Sequence, residues 1–333
     1  MKKFVTIRDV ANAAGVSINT VSRALNDKPD VNEETKEKVL KVARELGYVR
    51  DATALSLRYG LTRVIGVIFE DSSNPFFSEV FKGIEMKARE HNFNVILMNT
   101  EKDYDIEEDA IKTMISRRVD GLIITPTQER FEDIESLANL NIPTIILGVH
   151  FKELKLPEVH TDDVTGGFLA TDYLIKKGRK RIVLLNGLSY KSVAQMRFEG
   201  YVNALKDNGI KYLDELVYEI PEGVESAYNK TKELLLSGLR FDGMFCFNDI
   251  FAIGAIEALK EFGKRIPEDV SVVGYDDISY AKYISPSLTT VAIDKILEGQ
   301  TAFELLLESV KSKAKMTAKE IVLDVKLIER KSA

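Results

Sequence analysis

Short, almost entirely apolar segments recur from residue 63 onward, and they constrain the fold of this chain more than any other feature. They read VIGVIF (64–69), NVILMN (94–99), GLIITP (121–126), TIILG (144–148), RIVLLNG (181–187), MFCFND (244–249) and SVVGYDD (271–277). Apolar residues do not alternate with polar ones, which is typical of strands buried on both faces. Helical patterns such as PFFSEVFKGIEMKAREHN (75–92) separate these segments. The alternation predicts βαβ units with right-handed connections, and therefore doubly wound parallel sheets.

The number of predicted strands exceeds what one compact sheet usually contains, so we expect an α/β body of two similar lobes. The first lobe is expected to span about residues 62–160 plus 292–320, and the second about 163–290 plus 321–333. In such sheets ligands bind outside the carboxyl ends of the strands, so facing lobes form a cleft. The residues that follow the strands are Glu70, Asp71, Ser72, Thr125, Gly148, Val149, His150, Gly187, Asn248, Asp249, Asp276 and Asp277.

Residues 1–49 contain no strand pattern and are predicted to form a small all-α head. Thr6 followed by Asp9 is a capping signal that starts one helix, and Gly15 ends it. Ser17 caps a second helix and Asn32 opens a third. The glycine-containing turn AAGVS between the first two helices is the connection of a helix-turn-helix.

The second predicted helix has an outer face whose composition suits contacts with base edges. In a helix-turn-helix, the first residues of this helix enter the major groove. Asn pairs with adenine, Arg with guanine, Ser and Thr with bases or phosphates, and an apolar residue contacts a thymine methyl group. The residues on this face are Ser17, Ile18, Asn19, Thr20, Ser22 and Arg23. A polar helix face that only meets water would have the same composition, so the residue types leave both interpretations open.

Residues 50–61 have the pattern of a short helix between the head and the body. A helix of this length is marginally stable alone, so we expect a hinge that orders on binding. An exposed leucine in this segment could insert between base steps in the minor groove. The alternative is a plain linker whose leucine is buried in the body.

The charge distribution agrees with a basic head on an acidic body. Residues 1–62 hold 11 Lys and Arg against 8 Asp and Glu, whereas the net charge of the whole chain is −6. No apolar run reaches membrane-spanning length, and the N-terminus lacks the apolar core of a secretory signal. Cys246 is the single cysteine, which excludes an intramolecular disulfide and a multi-cysteine metal site. These features predict a cytoplasmic protein.

Several longer motifs resemble those of the lac-repressor/galactose-repressor family of bacterial transcription regulators. The head carries VTIRDVANAAGVSINTVSRALNDKPDVNEETKEKVLKVARELGY, and the body carries GVIFEDSSNPFF, DGLIITP, TDDVTGGFLATDYLIKKGRKRI, RFEGYVNAL, FNDIFAIGAIEAL and SVVGYDDISYAKYISPSLTTV. The body is also similar to the periplasmic sugar-binding proteins. The resemblance implies a homodimeric repressor that binds double-stranded DNA at pseudo-palindromic operators. It further implies that a small-molecule effector, a carbohydrate or a derivative of one, binds between the lobes and controls operator affinity.

The resemblance assigns DNA contacts by position in the head. Ile18, Asn19 and Arg23 match the base-reading residues of the family. The residues at positions suited to phosphate contacts are Thr6, Ser17, Thr20 and Ser22.

In the hinge, Leu57 matches the minor-groove wedge of the family, with Ala54 and Arg58 beside it. The chain departs from the family at Arg50 and Leu55, where proline and arginine are usual, and this affects the expected geometry at the hinge entrance. The chain has no heptad repeat after residue 330, so a tetramerising coiled coil is not expected.

The resemblance also assigns contacts in the cleft. Asn74, Phe76 and Phe77 match positions that hydrogen-bond and stack on the ligand, and a second group matches a polar clamp for hydroxyl groups. With residues that follow the strands, the predicted ligand-binding set is Asp71, Ser72, Asn74, Phe76, Phe77, His150, Arg197, Asn248 and Asp276. Structural interpretations stay open: the phenylalanines suit a core, Arg197 a solvated charge, and Asp276 a helix cap.

Two departures from the family bear on the ligand. Sugar-binding members often carry an acidic residue after the fourth strand, where this chain has Gly148, Val149 and His150. Glu222 stands where an aromatic residue is often found. These differences predict a ligand other than a simple pentose or hexose, or a roomier pocket.

Two other classes of protein share parts of this pattern. An enzyme is one, but no G-x-G-x-x-G, phosphate-binding loop or G-x-S-x-G motif opens a strand–helix turn. The histidines His91, His150 and His160 have no metal-ligand spacing, so we expect no catalytic residue, no cofactor and no metal site. A solute-binding protein is the other, and the N-terminal head and missing secretory signal argue against it.

Overall fold

The computed structural model describes residues 5–49, 61–130, 132–140, 142–151, 155–312 and 318–333. The chain divides into two compact units, residues 1–62 and 63–333. The sequence predicts nearly the same division, with the body beginning at residue 62. The predicted hinge residues Arg50, Ala54, Leu55, Leu57 and Arg58 lie outside the described residues.

The N-terminal unit, called the head, is a bundle of three helices. They are α1 (Ile7–Ala14), α2 (Ile18–Leu25) and α3 (Glu33–Leu46). Thr6, Ser17 and Asn32 cap them as the sequence predicts, and Thr6 forms a capping box with Asp9. Gly15 adopts φ 66°, a left-handed conformation that favours glycine and turns the chain between α1 and α2. Apolar residues of all three helices, such as Val10, Val21 and Val39, form the buried core.

The body contains two six-stranded sheets, each the centre of one lobe. The first lobe comprises β1 (Val64–Phe69), α4 (Pro75–Glu90), β2 (Asn94–Asn99), α5 (Tyr104–Ser116), β3 (Gly121–Ile124), α6 (Glu132–Asn139), β4 (Thr144–Leu147), β5 (Glu158–Thr161), α11 (Lys295–Ser312) and β11 (Glu320–Leu323). Its strand order is β11-β5-β4-β3-β1-β2, with parallel pairing throughout.

The second lobe repeats this architecture. It comprises α7 (Asp163–Lys176), β6 (Ile182–Asn186), α8 (Ser192–Asp207), a short 3₁₀ helix (Asp214–Leu216), β7 (Val217–Glu219), α9 (Val224–Leu236), β8 (Gly243–Cys246), α10 (Asp249–Glu261), β9 (Ser271–Asp276), β10 (Thr289–Ala292) and β12 (Lys326–Ile328). The strand order is β12-β10-β9-β8-β6-β7, and β12 alone of these described strands runs antiparallel to its neighbour. The predicted doubly wound lobes are therefore present.

The chain passes between the lobes after β5, after β10 and after β11. The last passage follows Leu323, whereas the sequence predicts a boundary between residues 320 and 321. Ile321 pairs with Val159 and Leu323 with Thr161, so the whole of β11 belongs to the first lobe. The expected boundary is wrong by three residues, because a four-residue edge strand has no helix or turn signal to mark its end.

Glycine allows the helices beside the cleft to approach closely. A Cβ atom added to Gly200 of α8 would overlap the carbonyl oxygen of Val164, and one added to Gly167 of α7 would overlap that of Arg197. The backbones of α7 and α8 are therefore in direct contact, and this contact fixes the position of Arg197. In the part of the chain that the structure describes, no helix is long and apolar enough to cross a membrane.

Candidate functional site

The exposed face of α2 presents most of the side chains that the sequence predicts for it. Ser17, Ile18, Asn19 and Arg23 are exposed, and Thr20 and Ser22 are half-buried. Ile18 is 43% exposed, so its apolar side chain is accessible on this polar face. The hydroxyl groups of Ser17 and Thr20 hydrogen-bond to each other at 2.8 Å, and Ser17 Oγ accepts a hydrogen bond from the Thr20 amide at 3.0 Å. Ser17 therefore already serves as the N-cap of the helix.

Two other predicted DNA-binding residues have partners within the head. The Arg23 guanidinium forms an ion pair with Asp30, in the loop before α3, and both side chains are about half exposed. The hydrogen bond from Arg23 lowers the pKa of the Asp30 carboxyl. The Thr6 hydroxyl donates to Asp9 Oδ2 at 2.7 Å. Arg23 is therefore held by a local carboxylate at the exposed surface.

A cavity lies between the carboxyl ends of the two sheets of the body, with a volume of about 70 Å³. Polar residues that follow strands line it, as the sequence predicts. From the first lobe these include Glu70 after β1 and Thr125 after β3, and from the second Asn248 after β8 and Asp276 at the end of β9. The other lining residues are Asn74, Phe76, Phe77, Gln128, Gly148, Val149, Thr161, Asp163, Lys191, Val193, Arg197, Glu222, Phe247, Ile293 and Glu298.

Arg197 is the buried centre of the polar groups from the second lobe. Its Nε donates to Asp163 Oδ1 at 2.7 Å and its Nη1 to the Phe247 carbonyl oxygen at 2.5 Å. The guanidinium also lies over the rings of Tyr275 and Phe247, at 3.6 and 4.7 Å from their centroids. Arg197 is only 5% exposed, so it is not a solvated surface charge. Burial opposes its charge, but the nearby Asp163 carboxylate keeps its pKa above the usual value.

Asp276 occupies the end of β9 and also faces this guanidinium. Its Oδ1 lies 3.8 Å from Arg197 Nη2, and its backbone has φ 99°. No helix in the described residues begins immediately after Asp276, so it is not a helix cap. Burial raises the pKa of its carboxyl to about 7, although Arg197 and Lys295 oppose the shift. A strained backbone and a buried carboxyl are features found at functional sites.

A lysine crosses the cleft and joins carboxylates from both lobes. Lys191 Nζ, from the second lobe, donates to Glu70 Oε2 of the first lobe at 2.8 Å and to Glu222 Oε1 at 2.7 Å. Lys102 lies 3.1 Å from Glu222 Oε2 and 3.4 Å from Asp71 Oδ2. Burial raises the pKa of Glu70 to about 7. The two lysines hold the pKa of Glu222 below its usual value although burial opposes the shift.

The aromatic residues of α4 bring the first lobe to the second. Phe77 is buried and lies 5.1 Å, centroid to centroid, from both Phe69 and Phe76. Phe76 is half-buried and packs against the apolar cores of the second lobe. Asn74 and Asn248 each cap a helix, α4 and α10. Phe77 is thus both a core residue and a cavity-lining residue, so the two interpretations of the sequence are compatible.

Three of the predicted ligand-binding residues do not line this cavity. Asp71 Oδ1 accepts hydrogen bonds from Ser73, and the Ser72 amide donates to Asn99 Oδ1 at 2.8 Å. His150 lies beside a separate cavity at the edge of the first lobe. His150 therefore does not line the cleft cavity, whereas Gly148 and Val149 before it do, and Gly148 adopts φ 72°. Its assignment as a ligand contact stays a prediction.

The predicted ligand-binding set lacks five charged residues of the cavity wall, namely Glu70, Asp163, Lys191, Glu222 and Glu298. Glu70 is predicted to follow a strand and Glu222 is a departure from the family, but neither is assigned to the ligand from the sequence. Glu70 directly follows β1, and Asp163 lies within the motif TDDVTGG after β5, so both are at strand ends. Lys191 and Glu298 had no strand-end signal, because Lys191 is in a loop and Glu298 is on α11. Burial raises the pKa of the Glu298 carboxyl to about 8.

Both units of the chain match models of known families. Residues 6–51 match the model described as bacterial regulatory proteins, lacI family. Residues 62–331 match the model described as periplasmic binding proteins and sugar binding domain of LacI family. The second match alone covers most of the chain.

Named relatives and a solved structure agree with these matches. The chain is 35% identical to the ribose operon repressor of Haemophilus influenzae and 38% identical to the HTH-type transcriptional repressor PurR of Vibrio vulnificus, and each match covers 93% of both chains. It is also similar to the lac repressor dimer bound to operator and the anti-inducer ONPF, with a TM-score of 0.89, 29% identity and 99% coverage of both chains. The head, the two-lobed body and the cleft between its sheets are those of a transcription regulator, and the chain belongs to the LacI family of bacterial regulatory proteins.

Proposed function

We propose that this chain is a repressor whose operator affinity is controlled by a polar, hydroxyl-rich small molecule in the cleft. In this proposal, the exposed face of α2 contacts base edges, with Asn19 and Arg23 specifying bases and Ile18 contacting a thymine methyl group. A homodimer presents two heads to a pseudo-palindromic operator, since two-fold protein symmetry mirrors operator symmetry. The lac repressor dimer, to which the chain is similar, is bound to operator in its solved structure.

The observation that carries the effector proposal is a set of unsatisfied polar atoms on the cavity wall. Glu70 Oε1, Thr125 Oγ1 and Glu298 Oε2 are buried and form no hydrogen bond with the described residues. Buried polar atoms in folded proteins nearly always have partners, so atoms without one favour a ligand that supplies them. Two of the three are carboxyl oxygens, which accept hydrogen bonds from hydroxyl groups when ionised and can also donate one when protonated.

The remaining wall residues suit the same chemistry. Phe76 offers an aromatic face for the C–H surface of a sugar ring, and Asn248 supplies an amide. Glu222, paired with Lys191, adds a charged wall where sugar-binding members of the family often have an aromatic residue. We therefore propose a carbohydrate derivative in preference to a free pentose or hexose, and tight binding of free ribose or glucose in calorimetry would count against this choice.

Control of operator affinity requires the effector to bind the two states of the body with different affinity. Lys191 contacts carboxylates of both lobes, so a ligand that replaces these contacts changes the relative stability of open and closed lobes. We propose this exchange as the link between effector and operator.

Selection of bound sequences from random DNA, with and without a panel of sugars, sugar phosphates and nucleosides, tests the proposal. Ribose is included because one relative is named a ribose operon repressor. We expect a pseudo-palindromic sequence and at least one panel compound that changes its affinity. The compound should lose its effect in Phe76→Ala and retain it in Tyr283→Ala, which removes an exposed aromatic outside the cavity wall. An effector response that persists in Phe76→Ala would contradict the assigned cleft.

A further inference from the structure

A second group of polar side chains lies outside the cleft, at the edge of the first lobe. Glu158 and His160 are on β5, two positions apart and therefore on the same face of the sheet. Glu320 is on the edge strand β11, directly opposite Glu158 in the parallel register. His150 follows β4. One ligand atom of each residue lies within 4.8 Å of one ligand atom of each other residue.

We infer that His150, Glu158, His160 and Glu320 bind a divalent transition-metal ion, with Zn²⁺ the ion that suits them best. The spacing of these residues along the sequence gave no sign of such a site, because they come together only through the pairing of β5 with β11 and the return of the chain after β4. The expectation of no metal site, based on sequence spacing, therefore does not apply to the folded chain.

One of the three separations between ligand atoms matches a small four-coordinate ion, and the other two are shorter. His150 Nδ1 lies 2.8 Å from Glu158 Oε2 and 3.4 Å from Glu320 Oε1, and His160 Nε2 lies 2.9 Å from Glu320 Oε1. In a tetrahedral zinc site with ligand distances of about 2.0–2.2 Å, neighbouring ligand atoms are about 3.3–3.6 Å apart. The two pairs at 2.8 and 2.9 Å must move apart by about 0.5 Å to reach that geometry.

The hydrogen bonds around His160 prepare it to bind a metal. Its Nδ1 lies 3.0 Å from the carbonyl oxygen of Thr161, which can only accept, so Nδ1 carries the proton. The other ring nitrogen, Nε2, lies 2.9 Å from Glu320 Oε1, so both atoms point toward the same position. A metal-binding histidine that donates its other ring N–H to a backbone carbonyl is the usual arrangement in metal sites.

The carboxylates are also positioned for this role. Glu158 is buried, and its Oε1 accepts a hydrogen bond from the Phe151 amide at 3.1 Å, which leaves Oε2 toward His150. Among the described residues, no lysine or arginine forms an ion pair with Glu158 or Glu320. These two carboxyl groups therefore offer oxygen ligands to a divalent cation.

A cavity beside the site is lined by three of the four side chains, whereas His160 is buried. The cavity has a volume of about 370 Å³ and is lined by His150, Phe151, Leu156, Glu158, Ala318, Lys319 and Glu320. Two imidazoles and two carboxylates favour Zn²⁺, Co²⁺, Ni²⁺ or Cu²⁺, whereas Mg²⁺ and Ca²⁺ prefer oxygen ligands alone. A cavity beside the ligands and a donor set of this type are two of the features that a metal site requires.

Metal binding would tie together segments that meet near the passage between lobes. β11 leads directly to the last passage into the second lobe, and the His150 amide donates to Ser192 Oγ of α8 at 3.2 Å. A bound ion would fix β11 to β5 and hold the segment after β4. It would therefore stabilise the body without occupying the effector cavity.

The test uses the full chain without an affinity tag, treated with a chelator and then titrated with Zn²⁺ by calorimetry. We expect one ion per chain, an affinity in the micromolar range or tighter, and a rise in Tm of several degrees at saturating Zn²⁺. Co²⁺ should give the visible absorption bands of a tetrahedral site. His160→Gln and Glu320→Gln should each weaken Zn²⁺ binding at least about 100-fold, since loss of an outer-shell partner alone costs about 10- to 100-fold.

His91→Gln is the matched control, because His91 stacks on Phe303 away from the cluster. It should leave the affinity for Zn²⁺ unchanged. Absence of Zn²⁺ and Co²⁺ binding, or equal affinity in the wild type, His160→Gln and Glu320→Gln, would overturn the inference. Glu320 is half exposed, so Glu320→Gln keeps the test decisive if His160→Gln does not fold. The result does not depend on operator or effector binding, so it is independent of the proposed function.

Discussion

The head and the cleft present polar side chains in opposite ways. On α2, Ile18, Asn19 and Arg23 are exposed, and their described contacts are few and local: Arg23 pairs with Asp30 in the following loop. In the cleft, Arg197 and Lys191 are buried and contact groups far away in the sequence. Lys191 and Glu70 are 121 residues apart, and Arg197 and Asp163 are 34 apart.

This difference in burial predicts different effects when a charged side chain is removed from each region. An exposed charged side chain stays solvated and contributes little to the free energy of unfolding. Its removal therefore changes binding to a partner and leaves the fold intact. A buried charge depends on its protein partners, so its removal leaves those partners buried and uncompensated. Substitutions in the cleft should therefore be detected in the free energy of unfolding, and substitutions on α2 in DNA binding alone.

The largest effect should come from Arg197→Ala. The substitution leaves the carboxylates of Asp163 and Asp276 buried without their cation, and it removes packing against Tyr275. We expect a loss of about 3–5 kcal/mol in the free energy of unfolding, measured by urea denaturation. Arg197→Lys should restore only part of it, because an ammonium group cannot bridge Asp163 and the Phe247 carbonyl in the same fork geometry. A loss below about 1 kcal/mol in Arg197→Ala would contradict the contrast between cleft and head.

A second prediction uses pH and the buried Glu298. Burial raises the pKa of its carboxyl from 4.5 to about 8, so in the folded protein it keeps its proton over a range in which the unfolded chain has lost it. The folded state then binds more protons, and the contribution of Glu298 to stability falls as pH rises from about 4.5 to 8, by up to about 1.4 kcal/mol per pH unit.

Glu298→Gln removes this titration while keeping the side-chain shape. It should make the free energy of unfolding less dependent on pH between about 5 and 8, and stabilise the protein most at the upper end of that range. Urea denaturation at several pH values without effector measures both. An unchanged slope with pH would show that Glu298 ionises in the folded state as it does in water. Asp269→Asn is a suitable control, since half-buried Asp269 pairs with Arg265 and its pKa is lowered, not raised.

The same contrast explains how much of this molecule could be predicted from its sequence. The buried strands and the helix caps depend on local patterns, so the doubly wound lobes and the three helices of the head were predictable. Residues at strand ends, such as Asn248 and Asp276, were found for the same reason: parallel strands bring their carboxyl ends to one edge of the sheet.

What could not be predicted depends on contacts between distant segments. Glu298 reaches the cleft from α11, and Lys191 reaches Glu70 across it, and neither residue follows a strand. His150 does follow a strand, but the turn at Gly148 takes it to the lobe edge with His160 and Glu320. Local sequence patterns indicate where a strand ends. They do not indicate where a side chain points after a turn or which residues of other elements it contacts, because both depend on the tertiary structure.

In the head, Arg23→Ala should show the opposite behaviour to Arg197→Ala. We expect a loss of roughly 1–3 kcal/mol in operator binding and a relaxed preference at one base pair of each half-site. The free energy of unfolding should stay nearly constant, since Arg23 is exposed. Selection from random DNA, followed by competition binding with single-base variants, measures the preference. An unchanged binding profile would remove Arg23 from the base-reading residues.

The smallest effect should come from Asp30→Asn, which tests whether the ion pair of Arg23 directs its guanidinium. The pair is exposed, so its loss should not change the free energy of unfolding measurably. If Asp30 positions Arg23, the variant should weaken the preference at the same base pair as Arg23→Ala, but by less. Asp27→Asn is the matched control, because it removes one negative charge from exposed Asp27, which pairs with half-buried Lys36 in the same head. Both variants should raise affinity for DNA of any sequence slightly, since each removes a charge that repels phosphates. A base preference that is equal in Asp30→Asn and Asp27→Asn would show that Arg23 finds its base without guidance from Asp30.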